Sequence, residues 1–183
     1  AASALYATTL AGELVPLGVD GAVLWRKNLG GRVYSTASVA KDGTIYVGSD
    51  DGHMRAFKES GDEAWKFDAK EEVDTGVLVR GDGTLVFTAG KSLYGLRPNG
   101  TVLFRTRLHR KSFASVAELP SGQLVVASQD HHVRVFSSTG EERWDLDLGA
   151  DVDGAPVIGD GGEIYVGTDG REVVSLTEGR VRW

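Results

Sequence analysis

A glycine followed four positions later by an aromatic residue occurs five times in this chain, at almost constant spacing. Successive glycines lie 40, 39, 40 and 39 residues apart. The five copies are GAVLW from Gly21, GDEAW from Gly61, GTVLF from Gly100, GEERW from Gly140 and GRVRW from Gly179. A period this regular indicates one structural unit repeated along the chain, because unrelated elements would not return at the same interval.

Two further signals lie between successive copies. A turn dipeptide precedes a β-rich run in each unit: Asp-Gly before TIYVG and TLVFT, Ser-Gly before QLVVA, and Gly-Gly before EIYVG. A later segment then alternates like a half-buried strand, in the copies HMRAF, SLYGL, HVRVF and EVVSL. Such dipeptides between β-rich runs are typical of β-hairpins. Each unit therefore contains four short strands, which is typical of a propeller blade of about 40 residues.

We predict an all-β fold, a β-propeller with four-stranded antiparallel blades of about 40 residues. Four blades are complete and a first blade (about 4–27) has three strands, because ALYATT and ELVPL align with TIYVGS and HMRAF after a shift of 40 residues. Residues 1–183 then form a single domain, either a segment of a longer propeller or a ring of five imperfect blades. Its repeats are 1–20 (partial), 21–60, 61–99, 100–139, 140–178 and a final strand at 179–183.

The wedge shape of a blade predicts the order of its strands. Blades crowd near the axis, so segments rich in small residues belong to the innermost strands: YSTAS (34–38), DTG (74–76), FAS (113–115) and DGA (153–155). The outermost strands then carry bulky rings that fill the widening gap and dock one blade on the next. These structural positions are Trp25, Trp65, Phe104, Trp144 and Trp183.

Composition excludes several classes of protein. The net charge is −6 and the sequence pI is about 5.2, which argues against a nucleic-acid binder with a basic face. No apolar run approaches the roughly 20 residues of a transmembrane helix, so we expect no transmembrane segment. There is no cysteine, which excludes disulfides and thiolate chemistry.

The segments MRAFKESGDEAW, LYGLRPNGTVLF and VRVFSSTGEERW resemble the tryptophan-docking repeat of PQQ-like, quinoprotein-type β-propellers. The glycine before the aromatic is present in all five copies, and Ala56 matches the small residue early in the motif. Lys58 replaces the usual Asp or Asn. The superfamily includes quinoprotein alcohol dehydrogenases and the outer-membrane assembly lipoprotein BamB. The resemblance therefore implies a fold, while the function has to be argued from individual residues.

One function that the resemblance implies is that of a quinoprotein oxidoreductase. Such enzymes hold the quinone between a tryptophan floor and, in many members, a vicinal disulfide, beside a calcium ion. This chain lacks cysteine, and its tryptophans occupy packing positions of the repeat. The acidic run Asp145, Asp147, Asp151 and Asp153 does not have the spacing of an EF-hand loop. We therefore predict that the chain is not an enzyme and has no catalytic residues, no cofactor and no metal.

Eight residues near the entrance to the innermost strands form a candidate ligand-binding site. Around the ring, one position alternates in sign, and the position two residues later alternates between aromatic and acidic. They are Arg32, Glu72, Lys111 and Asp151, followed by Tyr34, Asp74, Phe113 and Asp153. Two interpretations remain open: ion pairs between neighbouring blades, or a polar, aromatic-lined pocket at the mouth of the central channel.

For function, we expect a non-enzymatic protein-interaction scaffold, similar to BamB in outer-membrane protein assembly and located outside the cytoplasm, in the periplasm or secreted. Propellers present many loops on a rigid framework, which suits protein partners bound through the loop faces. The alternative is a ligand- or carbohydrate-binding sensor that uses the channel mouth, and a PQQ-dependent oxidoreductase ranks third. We also expect self-association through the N-terminal edge (residues 4–9), where no innermost strand completes the first blade.

Overall fold

The computed structural model describes residues 5–183, which form five antiparallel sheets and contain no helix within that range. The first sheet has three strands: β1 (Leu5–Thr8), β2 (Glu13–Leu17) and β3 (Lys27–Asn28). The second sheet consists of β4 (Ser38–Val39), β5 (Ile45–Ser49), β6 (His53–Phe57) and β7 (Glu63–Asp68). These two sheets already show the predicted arrangement, a three-stranded start followed by a four-stranded unit.

The remaining three sheets repeat the second in chain order. The third contains β8 (Leu78–Val79), β9 (Leu85–Ala89), β10 (Ser92–Leu96) and β11 (Val102–Arg107). The fourth contains β12 (Ala117–Glu118), β13 (Leu124–Ala127), β14 (His132–Phe136) and β15 (Glu142–Asp147). The fifth contains β16 (Val157–Ile158), β17 (Ile164–Thr168), β18 (Glu172–Thr177) and β19 (Arg180–Val181). The predicted all-β class and four-stranded blades are therefore confirmed.

The two middle strands of each complete sheet lie where the sequence placed them. HMRAF forms β6, SLYGL forms β10 and HVRVF forms β14, each without a shift of one residue. In the partial sheet, ELVPL forms β2 and LYAT forms β1, whereas Ala4 of the predicted ALYATT segment lies outside the described residues. Alternating β-rich segments bounded by tight turns thus locate the start of the third strands to the residue. The second strands begin one residue after the start of the predicted runs, at Ile45, Leu85, Leu124 and Ile164.

The first strand of each complete sheet differs from the prediction. Only Ser38 of the four predicted innermost segments belongs to a strand, and the strands at Leu78, Ala117 and Val157 begin after their predicted segments end. The predicted segments run just before these strands as irregular chain. Nevertheless β4 approaches β8 and β12 approaches β16, so the first strands are where neighbouring sheets come close together.

Each junction between neighbouring sheets has its own apolar core. In the second junction, Tyr46 and Met54 of one sheet pack with Leu85, Phe87 and Tyr94 of the next. Similar clusters join the first sheet to the second, the third to the fourth and the fourth to the fifth. The described residues therefore contain four cores in a row, and each is shared by sheets that are adjacent in sequence.

Aromatic rings close the outer part of these junctions by lying against a glycine of the next unit. The pairs are Trp25 with Gly61, Trp65 with Gly100, Phe104 with Gly140 and Trp144 with Gly179. The indole of Trp25 also donates a hydrogen bond to the Glu59 carbonyl oxygen (3.0 Å), and that of Trp65 donates to the Pro98 carbonyl oxygen (2.8 Å). Ring and turn therefore fix the position of one sheet relative to the next.

Trp183 differs from the other four aromatic positions. Its residue surface is 67% exposed, and the ring lies 6.1 Å from that of Tyr165 in its own sheet. Gly21, the repeat-equivalent glycine in the first sheet, has no heavy atom within 4 Å of an added Cβ. Among residues 5–183 the aromatic-on-glycine contact thus joins four pairs of sheets and does not join the fifth sheet to the first.

Candidate functional site

The segments that enter the first strands are held by side chains. Ser35 Oγ donates a hydrogen bond to the Gly48 carbonyl oxygen (2.9 Å), and Thr75 Oγ1 donates to the Thr88 carbonyl oxygen (3.0 Å). Both side chains are buried against the second strand of their own sheet. The preceding residues, Tyr34 and Asp74, are more exposed than these anchors. Anchoring one residue by its side chain therefore sets the position of its more exposed neighbour.

Three of the eight predicted residues line one cavity of about 490 Å³: Tyr34, Asp74 and Phe113. They come from three consecutive sheets and share one position in the repeat. Neighbouring entry segments are also bonded to one another, since Ser115 Oγ accepts a hydrogen bond from the Gly76 amide (3.0 Å). The arrangement places one carboxyl group between two aromatic side chains, and we call it the aromatic–acid cradle.

The charged positions pair only partly as the sequence suggested. Lys111 Nζ lies 2.6 Å from Glu72 Oε2, an ion pair between neighbouring sheets. Arg32 instead donates a hydrogen bond to the hydroxyl of Tyr34 (3.3 Å), and Asp151 lies 3.2 Å from His131 Nε2. Within residues 5–183 the alternating signs therefore produce one ion pair between sheets rather than a ring of them.

Asp153 lies apart from the cradle. It is exposed and does not line the cavity, although it has the same repeat position as Asp74. Asp74 lies between the sheet that carries Tyr34 and the sheet that carries Phe113. Asp153 belongs to the fifth sheet, and the described residues place no further sheet beyond it. Asp74 and Asp153 therefore do not line one cavity.

The carboxyl group of Asp74 is electrostatically unusual. Burial raises the pKa of Asp74 to about 7, helped by the hydrogen-bonding contact with Asp50 and by the negative charges of Asp50 and Glu72, while Lys111 acts in the opposite direction. Asp74 Oδ1 is buried and has no hydrogen-bond donor among the described residues. Near neutral pH the group is thus close to half-ionised, and one of its oxygens lacks a partner.

A larger cavity of about 550 Å³ adjoins this region between the second and third sheets. Its lining is rich in carboxylates and shares Glu72 and Lys111 with the surroundings of Asp74. The residues are Asp50, Asp51, Gly52, His53, Asp68, Lys70, Glu71, Glu72 and Lys111. The end of the molecule that carries the cradle is therefore acidic, with Lys111 already paired to Glu72.

A buried ionic network that sequence reasoning missed occurs in the second and fourth sheets. Arg134 is 2% exposed and contacts Asp130 through both terminal nitrogens (2.7 and 3.0 Å) and Ser128 Oγ at 3.0 Å. Arg55 makes the equivalent contacts with Asp51 and Ser49. The sequence feature that could have revealed this network is the spacing Ser-x-Asp-x-x-x-Arg, which occurs at 49–55 and at 128–134. Its last residues belong to the segments already assigned to strands by their alternation.

These observations define the class of protein. Five meander sheets are packed in chain order, and their first strands lie where neighbouring sheets come close together. An aromatic ring lies between the outer parts of each of the four pairs of sheets that are adjacent in sequence. This is the construction of a β-propeller. Residues 1–72 and 129–183 match the family model described as outer membrane protein assembly factor BamB. The matched segments make up well over half of the sequence. The chain belongs to this family.

Solved structures agree on the fold. BamB from Moraxella catarrhalis is 16% identical, with a TM-score of 0.84, and the match covers 100% of this chain and 61% of that one. The WD40 propeller domain of Doa1 is also 16% identical, with a TM-score of 0.82 over 96% of this chain and 60% of that one. The chain thus spans about three fifths of the length of either protein.

A protein of unknown function from Bacteroides caccae is similar as well, at 18% identity and a TM-score of 0.72 over 98% of this chain and 71% of that one. The comparison with curated proteins gave no match. No helix in the described range is long and apolar enough to cross a membrane. At these identities the similar structures establish the fold, and functional arguments rest on the family and on the residues.

Proposed function

We propose that the chain is a non-enzymatic scaffold that binds protein partners during outer-membrane protein assembly, outside the cytoplasm. The observation that carries this proposal is its membership of the BamB family. The packing supports it, because Trp25, Trp65 and Trp144 lie against glycines between sheets and do not form an open floor for a cofactor. Short turns on a stiff sheet framework provide the contact surface.

The turns form two opposite loop faces. The hairpin face contains the turns between first and second strands and between third and fourth strands, such as residues 40–44 and 58–62. The mouth face contains the turns between second and third strands, the connections between sheets and the aromatic–acid cradle. Glu59 on the hairpin face and Arg110 on the mouth face are both exposed. They are suitable positions for asking which face meets a partner.

Two experiments test the scaffold. Removing the gene from its natural host should lower the abundance of outer-membrane proteins, measured by quantitative proteomics of isolated outer membranes. A photo-crosslinking residue at position 59 or 110 should capture a protein of the assembly machinery from one face, with the other position as the matched control. An unchanged outer-membrane proteome would overturn the assembly role.

The non-enzymatic part of the proposal has its own test. After incubation with PQQ and calcium, the chain should not catalyse dye-linked oxidation of alcohols or aldose sugars. A bona fide quinoprotein assayed in parallel provides the positive control. Turnover above the rate of PQQ and calcium alone would show that the chain is an oxidoreductase.

Self-association through the N-terminal edge is a further part of the proposal. In the first sheet β1 pairs with β2 alone among the described strands, so one side of β1 presents unpaired backbone groups. Leu5 on this strand is 67% exposed. Open edges of this kind pair readily with another strand, and a second copy of the chain supplies one.

Binding of a ligand at the channel mouth is the second candidate function. The observation that favours it is the aromatic–acid cradle, where Tyr34, Asp74 and Phe113 share a cavity of about 490 Å³. This volume lies within the usual range for small-molecule sites, roughly 300–1,000 Å³. The hairpin face stays free when the cradle is occupied, so the two functions are compatible.

A further inference from the structure

We infer that the aromatic–acid cradle binds an organic cation, an ammonium or guanidinium group that lies between the rings of Tyr34 and Phe113 and contacts the carboxyl group of Asp74. This inference rests on the second candidate function and names the chemical class of its ligand. The same cationic chemistry occurs in small metabolites and in lysine or arginine side chains of a protein partner.

The aromatic side chains supply the first part of the recognition. Tyr34 is 55% exposed and Phe113 is 40% exposed, and both line the cavity. Aromatic faces attract cations through the quadrupole of the ring, by about 0.5–1 kcal/mol at exposed sites and more where water is excluded. Two rings that line the same cavity as one carboxyl group therefore favour a cation that also has apolar surface.

Asp74 supplies the second part. Its Oδ1 atom is buried without a hydrogen-bond donor in the described chain, so a positive charge in the adjoining cavity would stabilise a carboxylate that is incompletely compensated. The carboxyl groups of Asp50 and Glu72 add negative potential at the same place. An anion would be repelled by this set, whereas a cation would be stabilised by all three groups.

The neighbouring basic groups are already engaged. Lys111 Nζ is 2.6 Å from Glu72 Oε2, and Arg32 donates to the hydroxyl of Tyr34. Neither contacts Asp74 through a hydrogen bond in the described chain. The cradle therefore keeps an acidic group without a direct cationic partner next to two exposed rings, which is the arrangement that an external cation would complete.

Proton exchange at Asp74 makes binding depend on pH. The groups that face this carboxyl are Asp50 from the turn after β5, Glu72 from the segment before β8, Lys111 from the segment before β12, and Tyr34 across the cavity. A bound cation stabilises the ionised carboxylate, so binding at low pH must first remove a proton. With a pKa of about 7 for Asp74, affinity should be roughly tenfold weaker at pH 6 than at pH 8.

The experiment uses isothermal titration calorimetry of the full chain with defined probes. Tetramethylammonium and choline represent small-molecule cations, while the N-acetyl methylamides of lysine and arginine represent protein side chains. We expect saturable binding of at least one cation, about tenfold or more weaker in Asp74→Asn and in Tyr34→Ala. Asp153→Asn is the matched control, since it changes the same repeat position outside the cavity, and should alter affinity less than twofold.

The possible outcomes distinguish failure of the cation assignment from failure of the second candidate function, ligand binding at the channel mouth. Binding of a neutral oligosaccharide, lost in Phe113→Ala but unchanged in Asp74→Asn, would overturn the cation assignment and support a carbohydrate site at the mouth. Equal losses in Asp74→Asn and Asp153→Asn would also overturn it, because they would show long-range charge rather than a site. If neither cations nor sugars bind, both the cation assignment and the second candidate function fail. Melting temperatures of all variants verify folding.

Discussion

Asp51 and Asp130 each lie beside an arginine that is almost completely buried. Burial raises the pKa of each carboxyl group, but hydrogen bonds from the arginine and a serine, together with the arginine charge, outweigh it and lower the pKa to about 2. A carboxyl group whose pKa is lowered on folding stabilises the protein above its unfolded pKa, and this stabilisation is lost as pH falls through the folded value.

We therefore expect the free energy of unfolding to decrease between about pH 4 and pH 2, by up to about 2 kcal/mol for each of the two groups. Urea denaturation at a series of pH values measures this dependence. The double variant Asp51→Asn/Asp130→Asn should show a smaller decrease than the wild type. Identical slopes in the two proteins would contradict the assignment.

Removal of Arg134 tests the contribution of the basic partner in the same ionic network. Arg134→Ala should destabilise the protein by about 3–5 kcal/mol, because Asp130, which is only slightly exposed, would lose its counter-charge and a buried side chain would be removed. Arg143, which pairs with Glu141 at 3.3 Å and is about half exposed, is the control, and Arg143→Ala should cost less than about 1 kcal/mol. Comparable losses in chemical denaturation would contradict a special role for the buried pair.

Asp74 titrates in the opposite sense. Its raised pKa means that the folded state is favoured when the carboxyl group is protonated, and stability is lost as pH rises from about 4 through about 7. Asp74→Asn should therefore raise the melting temperature at pH 8 and leave it almost unchanged at pH 4. Asp153→Asn should change neither value, and a stabilisation as large as that of Asp74→Asn would refute the burial argument.

The sequence singled out the repeat position that lines the cavity but not which copies of it do so. Tyr34, Asp74 and Phe113 were recognisable because each occupies that position. The partner Asp50 belongs to a turn more than twenty residues away, and no repeat signal links it to Asp74. Asp74 differs from Asp153 because it is enclosed between two neighbouring sheets. This enclosure depends on packing, which the residue type does not reveal.

At the scale of the structural elements, the contact between ring and glycine can be tested at one junction. Gly140 has a φ of +84°, and an added Cβ would lie 2.4 Å from the ring of Phe104. Gly21 has a similar φ of +80° and open space around it. The two positions share the backbone strain of a left-handed residue and differ in the steric contact.

Gly21→Ala should cost about 1–2 kcal/mol, the strain of a left-handed L-residue. Gly140→Ala should cost a further 1–3 kcal/mol or so, because the ring must shift within a packed junction. Urea denaturation of the two variants gives the difference directly. Equal losses would show that the ring tolerates the added methyl group and that the junction is loosely packed.

The first strands show why their boundaries could not be read from the sequence. Runs of Ser, Thr, Ala and Gly correctly indicated the crowded region, but residues such as Ser35 and Thr75 bond to carbonyl groups of the second strand through their side chains. Side-chain bonds there take the place of ladder bonds, so the regular strand starts only at Ser38 or Leu78. Small polar residues thus indicate where the first strand of each sheet lies, but they do not show at which residue it begins.

For the whole molecule, the open edge of β1 predicts concentration-dependent association. Sedimentation velocity at increasing protein concentration should detect dimers, and Leu5→Lys should reduce them, since lysine on an edge strand opposes pairing. Val102→Lys is the matched control, because Val102 is also partly exposed (47%) but lies on β11, at the edge of the third sheet. A strict monomer at all concentrations, or an equal effect of the two lysines, would contradict association through β1.

The four junctions are built from the same parts, an apolar core and a ring that lies on a glycine, and each involves only sheets adjacent in sequence. A protein assembled in this way can gain or lose a unit of 39 or 40 residues by duplication or deletion, because a new unit meets its neighbours through surfaces that already fit. Changes in length are therefore tolerated more easily than changes inside a unit. Propellers with different numbers of blades can arise from one ancestral repeat without the invention of a new interface.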